Sequence, residues 1–167
     1  MSLPAKTLCI NPNRLSYKDN NADVGFAFDG DGDRLIIVDK NAKELNGDDI
    51  LFVLARDKFE NQITLGSKGI VGTIMTNKGL ENSLTKMGVE LVRSDVGDRY
   101  VLQKLEELNW DLGGEQSGHI ISLDSSNSGD AIIAAIKFLE AYICSGLSLD
   151  QLLKPFTKYP QILTLSL

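Results

Sequence analysis

Val24-Gly25-Phe26-Ala27-Phe28-Asp29-Gly30-Asp31-Gly32-Asp33-Arg34-Leu35-Ile36-Ile37-Val38 sets an acidic loop between two apolar, β-rich runs, and the fold is read outward from it. The runs Val24–Phe28 and Leu35–Val38 are too apolar for surface loops and read as adjacent strands carrying the loop at their joint. Asp29, Asp31 and Asp33 repel one another, so a folded loop that holds all three calls for a cation. The intervening glycines let the backbone take positive φ and curl until the carboxylates point to one side. Hard oxygen ligands with positions left open for water or phosphate suit Mg²⁺ best. An EF-hand register starting at Asp29 fails, because its sixth and twelfth places are Arg34 and Lys40 instead of Gly and Glu. A plain acidic hairpin turn is the alternative, and such turns rarely spend three aspartates at this spacing.

With 167 residues, 43% apolar and 24% charged, the chain has the composition of a soluble globular protein and can bury a core. A net charge of −6 without any run of Lys or Arg leaves no electrostatic footprint for nucleic acid. No apolar stretch approaches the roughly 18 residues of a membrane span, and Met1–Ile10 lacks the pattern of a signal peptide. A cytoplasmic location is the expectation. Cys9 and Cys144 fit no metal-binding spacing and read as buried small hydrophobes.

On the N-terminal side, Thr7–Ile10 reads as a short strand, with turns over 11–13 and 18–21. On the other side, 41–43 reads as a turn and Gly47 through Phe59 as a helix with acidic residues at its start. The polar stretch 60–67 reads as a domain boundary. Beyond it come a strand over Gly69–Met75, a helix over Gly79–Met87 capped by Thr76 or Asn77, and a strand over Val89–Arg93. A helix starting at Gly97, strands over Trp110–Gly114 and His119–Leu123, and a helix over Asp130–Cys144 follow. That last helix is apolar around most of its circumference and is expected to be central. A short helix over Leu149–Lys154 comes last. This alternation predicts an α/β fold of doubly wound α/β/α layers with a mixed sheet.

A second constellation, Gly113-Gly114-Glu115-Gln116-Ser117-Gly118-His119, brings a carboxylate, a hydroxyl and the sole histidine together between glycines. Glu115 can accept hydrogen bonds from vicinal sugar hydroxyls, Ser117 can donate and accept, and His119 can exchange a proton near neutral pH. A glycine-rich turn with a structural histidine is the alternative reading.

Asp29–Arg34, Val96-Gly97-Asp98-Arg99-Tyr100-Val101 and Gly114–His119, in that order and spacing, resemble the α-D-phosphohexomutase family over nearly the whole chain from Ala22 to Gln161. The wordings Glu-Gln-Ser-Gly-His and Gly-Asp-Arg-Tyr-Val resemble its glucosamine-phosphate branch. The resemblance implies a four-domain enzyme that interconverts glucosamine 6-phosphate and glucosamine 1-phosphate through a phosphoserine and a bisphosphorylated sugar. It implies a partial second domain over 1–64, a third domain over 65–160, and the start of a linker over 161–167. It implies Mg²⁺ held by Asp29, Asp31 and Asp33, with Arg34 beside the transferring phosphate and His119 as a proton-transfer partner. Glu115, Ser117 and Arg99 become substrate contacts, a helix-start ion pair with Asp98 being the alternative for Arg99.

The chain departs from the family pattern in two respects: its single histidine is followed by Ile120, so it contains no Ser-His-Asn-Pro setting for a phosphoserine, and the family's last domain, expected to begin near Gln161, is not expected within it. The isolated chain is therefore expected to lack mutase activity. The partial second domain should also leave an apolar sheet edge or face around Val24–Val38 exposed, a route to homo-oligomers. Rival readings are a phosphomannomutase or phosphoglucomutase of the same family and a non-catalytic sugar-phosphate-binding remnant. A haloacid-dehalogenase-type phosphatase needs Thr or Val four places after its first aspartate, where this chain has Asp33.

Overall fold

Two four-stranded sheets, each flanked by helices, share one apolar core, and the two loops singled out above meet where the sheets approach each other. The structure, a computed structural model, describes residues 7–9, 22–60 and 68–162. The first sheet has the order β1 (Thr7–Cys9), β2 (Val24–Phe28), β3 (Leu35–Asp39), β4 (Glu44–Leu45). β1 runs parallel to β2, and the other neighbours are antiparallel. β2 and β3 pair in full register from Val24↔Asp39 to Phe28↔Leu35, which mounts the acidic loop at the end of a five-residue ladder.

The helix α1 (Gly47–Glu60) leads on, and the expected boundary over 60–67 falls mostly on residues outside those described, as do the turns expected at 11–13 and 18–21. The second sheet comprises β5 (Gly69–Thr73), β6 (Glu90–Ser94), β7 (Leu112–Gly114) and β8 (Ile120–Ser122) in the order β6-β5-β7-β8. β5 is parallel to both neighbours, and β8 turns back antiparallel to β7, so the expected mixed sheet is present.

Period-two alternation divides this sheet between two cores. Ile70 and Ile120 face the large cluster shared with α1 and α2 (Lys78–Lys86), while Val71 and Ile121 face a smaller one with Val101, Leu105 and Trp110. Val101 and Leu105 lie on α3 (Asp98–Leu108), which packs on β5, β6 and β7, so helices cover both faces. Local chemistry starts and stops these helices. Asn77 caps α2 through its side chain, and Asp130 accepts from the N–H groups of Ile132 and Ile133 to start α4 (Ala131–Ser145). α5 (Leu149–Leu153) opens with a capping box between Ser148 and Gln151.

α4 differs from its expectation. It sets Ala131, Ala134, Ala135, Phe138 and Ala141 against the first sheet and α1, with Phe138 edge-on to Phe26 at 6.5 Å. Its opposite side exposes Ile132, Ile136 and Ile143 by 58%, 60% and 51%, so the helix is covered on one side only. Cys144, expected to be buried, lies on this exposed side. On the first sheet, Ile36 is 37% exposed, with Ala27 and Val38 half-buried on the same face. Among the described residues no helix is long and apolar enough to cross a membrane.

Candidate functional site

The acidic loop is closed by its own first aspartate. Asp29 Oδ1 accepts from the backbone N–H groups of Gly32, Asp33 and Arg34 at 3.0, 3.2 and 3.3 Å, with Gly32 at φ 74° completing the curl. Burial pushes the Asp29 carboxyl up, but contact with the Asp33 carboxyl and the three N–H donations outweigh it and hold the group below its usual value. The far end of the loop is pinned to α4, whose first N–H donates to the Gly32 carbonyl at 3.1 Å.

The expected one-sided trio of carboxylates is not formed. Among the described residues no three His, Cys, Asp or Glu side chains converge as a metal cluster. Asp29 is used in closing the loop, Asp31 is exposed at its tip, and Asp33 Oδ2 lies 3.2 Å from His119 Nδ1. The donor set itself, three hard carboxylates on one short loop, still fits a hard divalent cation. Arg34 is exposed, with its Nε 4.0 Å from Asp29 Oδ2.

The second loop is the turn of the β7–β8 hairpin, closed below Glu115 by the Gly114↔Ile120 pair. The Glu115 N–H donates to the His119 carbonyl at 2.9 Å and the Gly118 N–H to the Glu115 carbonyl at 3.0 Å. Glu115 Oε1 accepts from the N–H of Gly97 at 2.9 Å, the residue that precedes α3. One carboxylate oxygen is thereby fixed at a helix N-terminus, where the dipole favours its charge. Ser117 is exposed at the hairpin tip, and His119 is buried.

The two loops are stitched together. The Leu35 N–H donates to the Gly118 carbonyl at 3.0 Å, and Arg34 and His119 form an isolated antiparallel bridge. The approach is close enough that a Cβ on Gly118 would sit 2.1 Å from the Leu35 carbonyl oxygen. His119 is held between Asp33 and Gly129, where a Cβ would meet its Nε2 at 2.0 Å.

Between these loops lies a cleft of about 570 Å³. Asp33 and Arg34 form one wall, and Glu115, Ser117 and His119 another. Thr73 and Met75 come from the end of β5, and Gly97 and Asp98 from the start of α3. Arg93 shapes the β5 end by donating to the carbonyls of Thr73 at 2.9 Å and Thr76 at 2.8 Å. Thr73 and Met75 carried no sequence signal, because a strand end next to a pocket looks like any other strand end. Arg99, expected in the site, does not line the cleft: it is exposed and stacked over the Tyr100 ring at 4.7 Å. A smaller cavity of about 250 Å³ lies between α1, α4 and α5, where Arg56 is bonded to Glu60 and the Leu152 carbonyl.

Residues 46–159 match the family model described as phosphoglucomutase/phosphomannomutase, alpha/beta/alpha domain III. A phosphoglucosamine mutase from Vibrio vulnificus (strain YJ016) is 49% identical over 145 residues, covering 87% of this chain and 32% of that protein. One from Aliivibrio fischeri (strain ATCC 700601 / ES114) is 48% identical over the same shares. The chain thus spans about a third of the length of the curated relatives it matches. Among solved structures, a phosphoglucomutase/phosphomannomutase family protein from Burkholderia thailandensis superposes with a TM-score of 0.75 at 27% identity, over 86% of this chain and 31% of that one. The N-acetylphosphoglucosamine mutase of Aspergillus fumigatus, solved with GlcNAc-6P and magnesium, shares the fold at a TM-score of 0.66 and 18% identity, over 83% of this chain and 36% of that one.

Proposed function

The chain belongs to the phosphoglucomutase/phosphomannomutase family, the α-D-phosphohexomutases, and from that premise we propose that it supplies the metal loop and the sugar loop of a phosphoglucosamine mutase. That enzyme interconverts glucosamine 6-phosphate and glucosamine 1-phosphate through a phosphoserine and a bisphosphorylated sugar. The observation that carries the reading is the cleft in which Asp33 and Arg34 face Glu115, Ser117 and His119. The 49% identity to a phosphoglucosamine mutase favours the amino sugar over other hexoses.

In this reading Asp29, Asp31 and Asp33 hold Mg²⁺, which supplies positive charge against the transferring phosphoryl group. Arg34, exposed on the same wall, adds a guanidinium where charge spreads over the equatorial oxygens, the main catalytic requirement of phosphoryl transfer. Glu115, with one oxygen fixed by Gly97, accepts from sugar hydroxyls, and Ser117 completes that contact. His119 is engaged with Asp33 through Nδ1 and packed on Gly129, so its first task is to hold Asp33, with proton exchange secondary. Arg99 reaches a substrate phosphate only by leaving Tyr100.

The domain division belongs to the same proposal. The family match starting at 46 and the packing of α1 on α2, β7, α4 and α5 support grouping α1 with the sugar-loop part, ahead of the 64/65 division expected from sequence. A cytoplasmic setting and self-association through the Ile36 face complete it.

Titration of ¹⁵N-labelled chain with glucosamine 6-phosphate in the presence of Mg²⁺ tests the reading. Amide shifts should concentrate on Gly97, Glu115, Ser117 and Gly118, and exceed those from glucose or mannose 6-phosphate. Shifts scattered over the surface, or centred on the α1–α4 cavity, would overturn it.

A further inference from the structure

Asp48, the second residue of α1, is fully buried and lies outside the cleft, and nothing in the chemistry above uses it. Its Oδ2 accepts from the Asn77 N–H at 3.1 Å and from Gln116 Nε2 at 3.4 Å. Its Oδ1 is buried without a hydrogen-bond partner. A buried, half-satisfied carboxyl is costly, and an apolar residue would avoid that cost unless the accepting oxygen has a task.

The groups around Oδ2 indicate the task. Gln116 stands between Glu115 and Ser117, and its carbonyl accepts from the Gly47 N–H at 3.0 Å. The Gln116 amide also donates to Gln161 Oε1 at 2.9 Å, and Gln161 Nε2 donates to the Met75 carbonyl at 2.9 Å. Asn77 clamps the backbone of Tyr159 in both directions, at 2.8 and 3.0 Å. One carboxyl oxygen thus ties together the sugar loop, the β5–α2 turn that carries Met75, and, through Gln116 and Asn77, the segment over 159–161. None of these hydrogen bonds is made to the acidic loop.

We propose that Asp48 is a positioning residue for the sugar loop, acting through Gln116 as a hydrogen-bond acceptor and leaving the metal loop unaffected. The proposal rests on the reading of Glu115 and Ser117 as sugar contacts. Burial also pushes the Asp48 carboxyl up, against the Asn77 N–H donation, the Lys158 ammonium and the Gln116 amide, which lower it.

Three variants of the full 167-residue chain test it: Asp48→Ala, Asp48→Asn and, on the half-buried loop side chain, Gln116→Ala. Asn keeps one accepting oxygen for both donors, whereas Ala removes it. In ligand-free ¹H–¹⁵N spectra, Asp48→Ala and Gln116→Ala should shift or broaden the amides over 115–118, while Asp48→Asn leaves them in place. Calorimetric affinity for glucosamine 6-phosphate should fall about tenfold in the two Ala variants, the loss expected for one or two buried hydrogen bonds, with affinity for Mg²⁺ alone within about twofold of wild type. Asp48→Asn should restore binding to within about twofold. Unchanged 115–118 amides in both Ala variants would overturn the proposal, as would equal loss in Asp48→Asn or a matching loss of Mg²⁺ affinity. If the wild-type chain binds no glucosamine 6-phosphate, the function reading fails, and the ligand-free spectra still decide the positioning role.

Discussion

Gly118→Ala is the substitution that most severely strains the junction of the two loops. Gly118 has φ 94°, where an L side chain costs about 1–2 kcal/mol. The new Cβ would lie 2.1 Å from the Leu35 carbonyl oxygen and 3.0 Å from its carbon, so backbone has to move by about 1 Å. Overpacking of that kind costs about 1–3 kcal/mol. The shift also breaks the Leu35 N–H to Gly118 carbonyl bond, for about 1 kcal/mol more. Together these come to about 3–6 kcal/mol, a large part of the roughly 5–15 kcal/mol that stabilises a domain. Urea unfolding followed by far-UV circular dichroism reads this directly. With a slope near 2 kcal/mol per molar, the midpoint should fall by about 1.5–3 M. Gly30→Ala, with no atom within 4 Å of its Cβ, is the control and should move it by less than about 0.3 M. A Gly118→Ala midpoint within about 0.5 M of wild type would refute the stitched-loop geometry.

Asp33→Asn should weaken Mg²⁺ binding about tenfold by calorimetry and release His119, seen as a shift of its imidazole resonances; unchanged Mg²⁺ affinity would remove Asp33 from the metal set. The Lys78 ammonium and then the Arg93 guanidinium hold the Glu81 carboxyl below its ordinary value of 4.5. Its stabilisation is therefore present above about pH 4.5 and lost as pH falls through the lowered folded value, so Glu81→Gln should flatten the acid limb of stability against pH. An equally steep acid limb in the variant would count against that pair. Asp130→Ala removes the acceptor of two N–H groups at 2.9 Å and should cost about 1 kcal/mol in urea unfolding, without altering ligand affinity.

Much of the fold was legible because local signals and burial agree. The apolar runs on either side of Asp29–Arg34 pair as β2 and β3, and Asn77, one of the two expected caps, caps α2. β4 was missed because two residues carry no period. α4 misled because apolar composition does not require cover on every side, and its isoleucines face outward. The loops of the site were legible as compositions, but their internal roles were not. Nothing in the spacing of Asp29, Asp31 and Asp33 says that the first will turn inward to close the loop on three N–H groups. Arg99 entered as a substrate contact through the resemblance alone, and its stacking on Tyr100 is a local contact that no spacing announces. Asp48 read as an ordinary helix-start acid, since only the fold brings Asn77 and Gln116 to it.

The central claim is that Glu115, fixed by Gly97 and facing the acidic loop across one cleft, recognises the hydroxyls of a sugar phosphate. Calorimetric titration of glucosamine 6-phosphate with Mg²⁺ into the wild-type chain and Glu115→Ala tests it most directly. The account predicts saturable binding to the wild type and a loss of about tenfold or more in the variant. Equal affinity in the two proteins would contradict it.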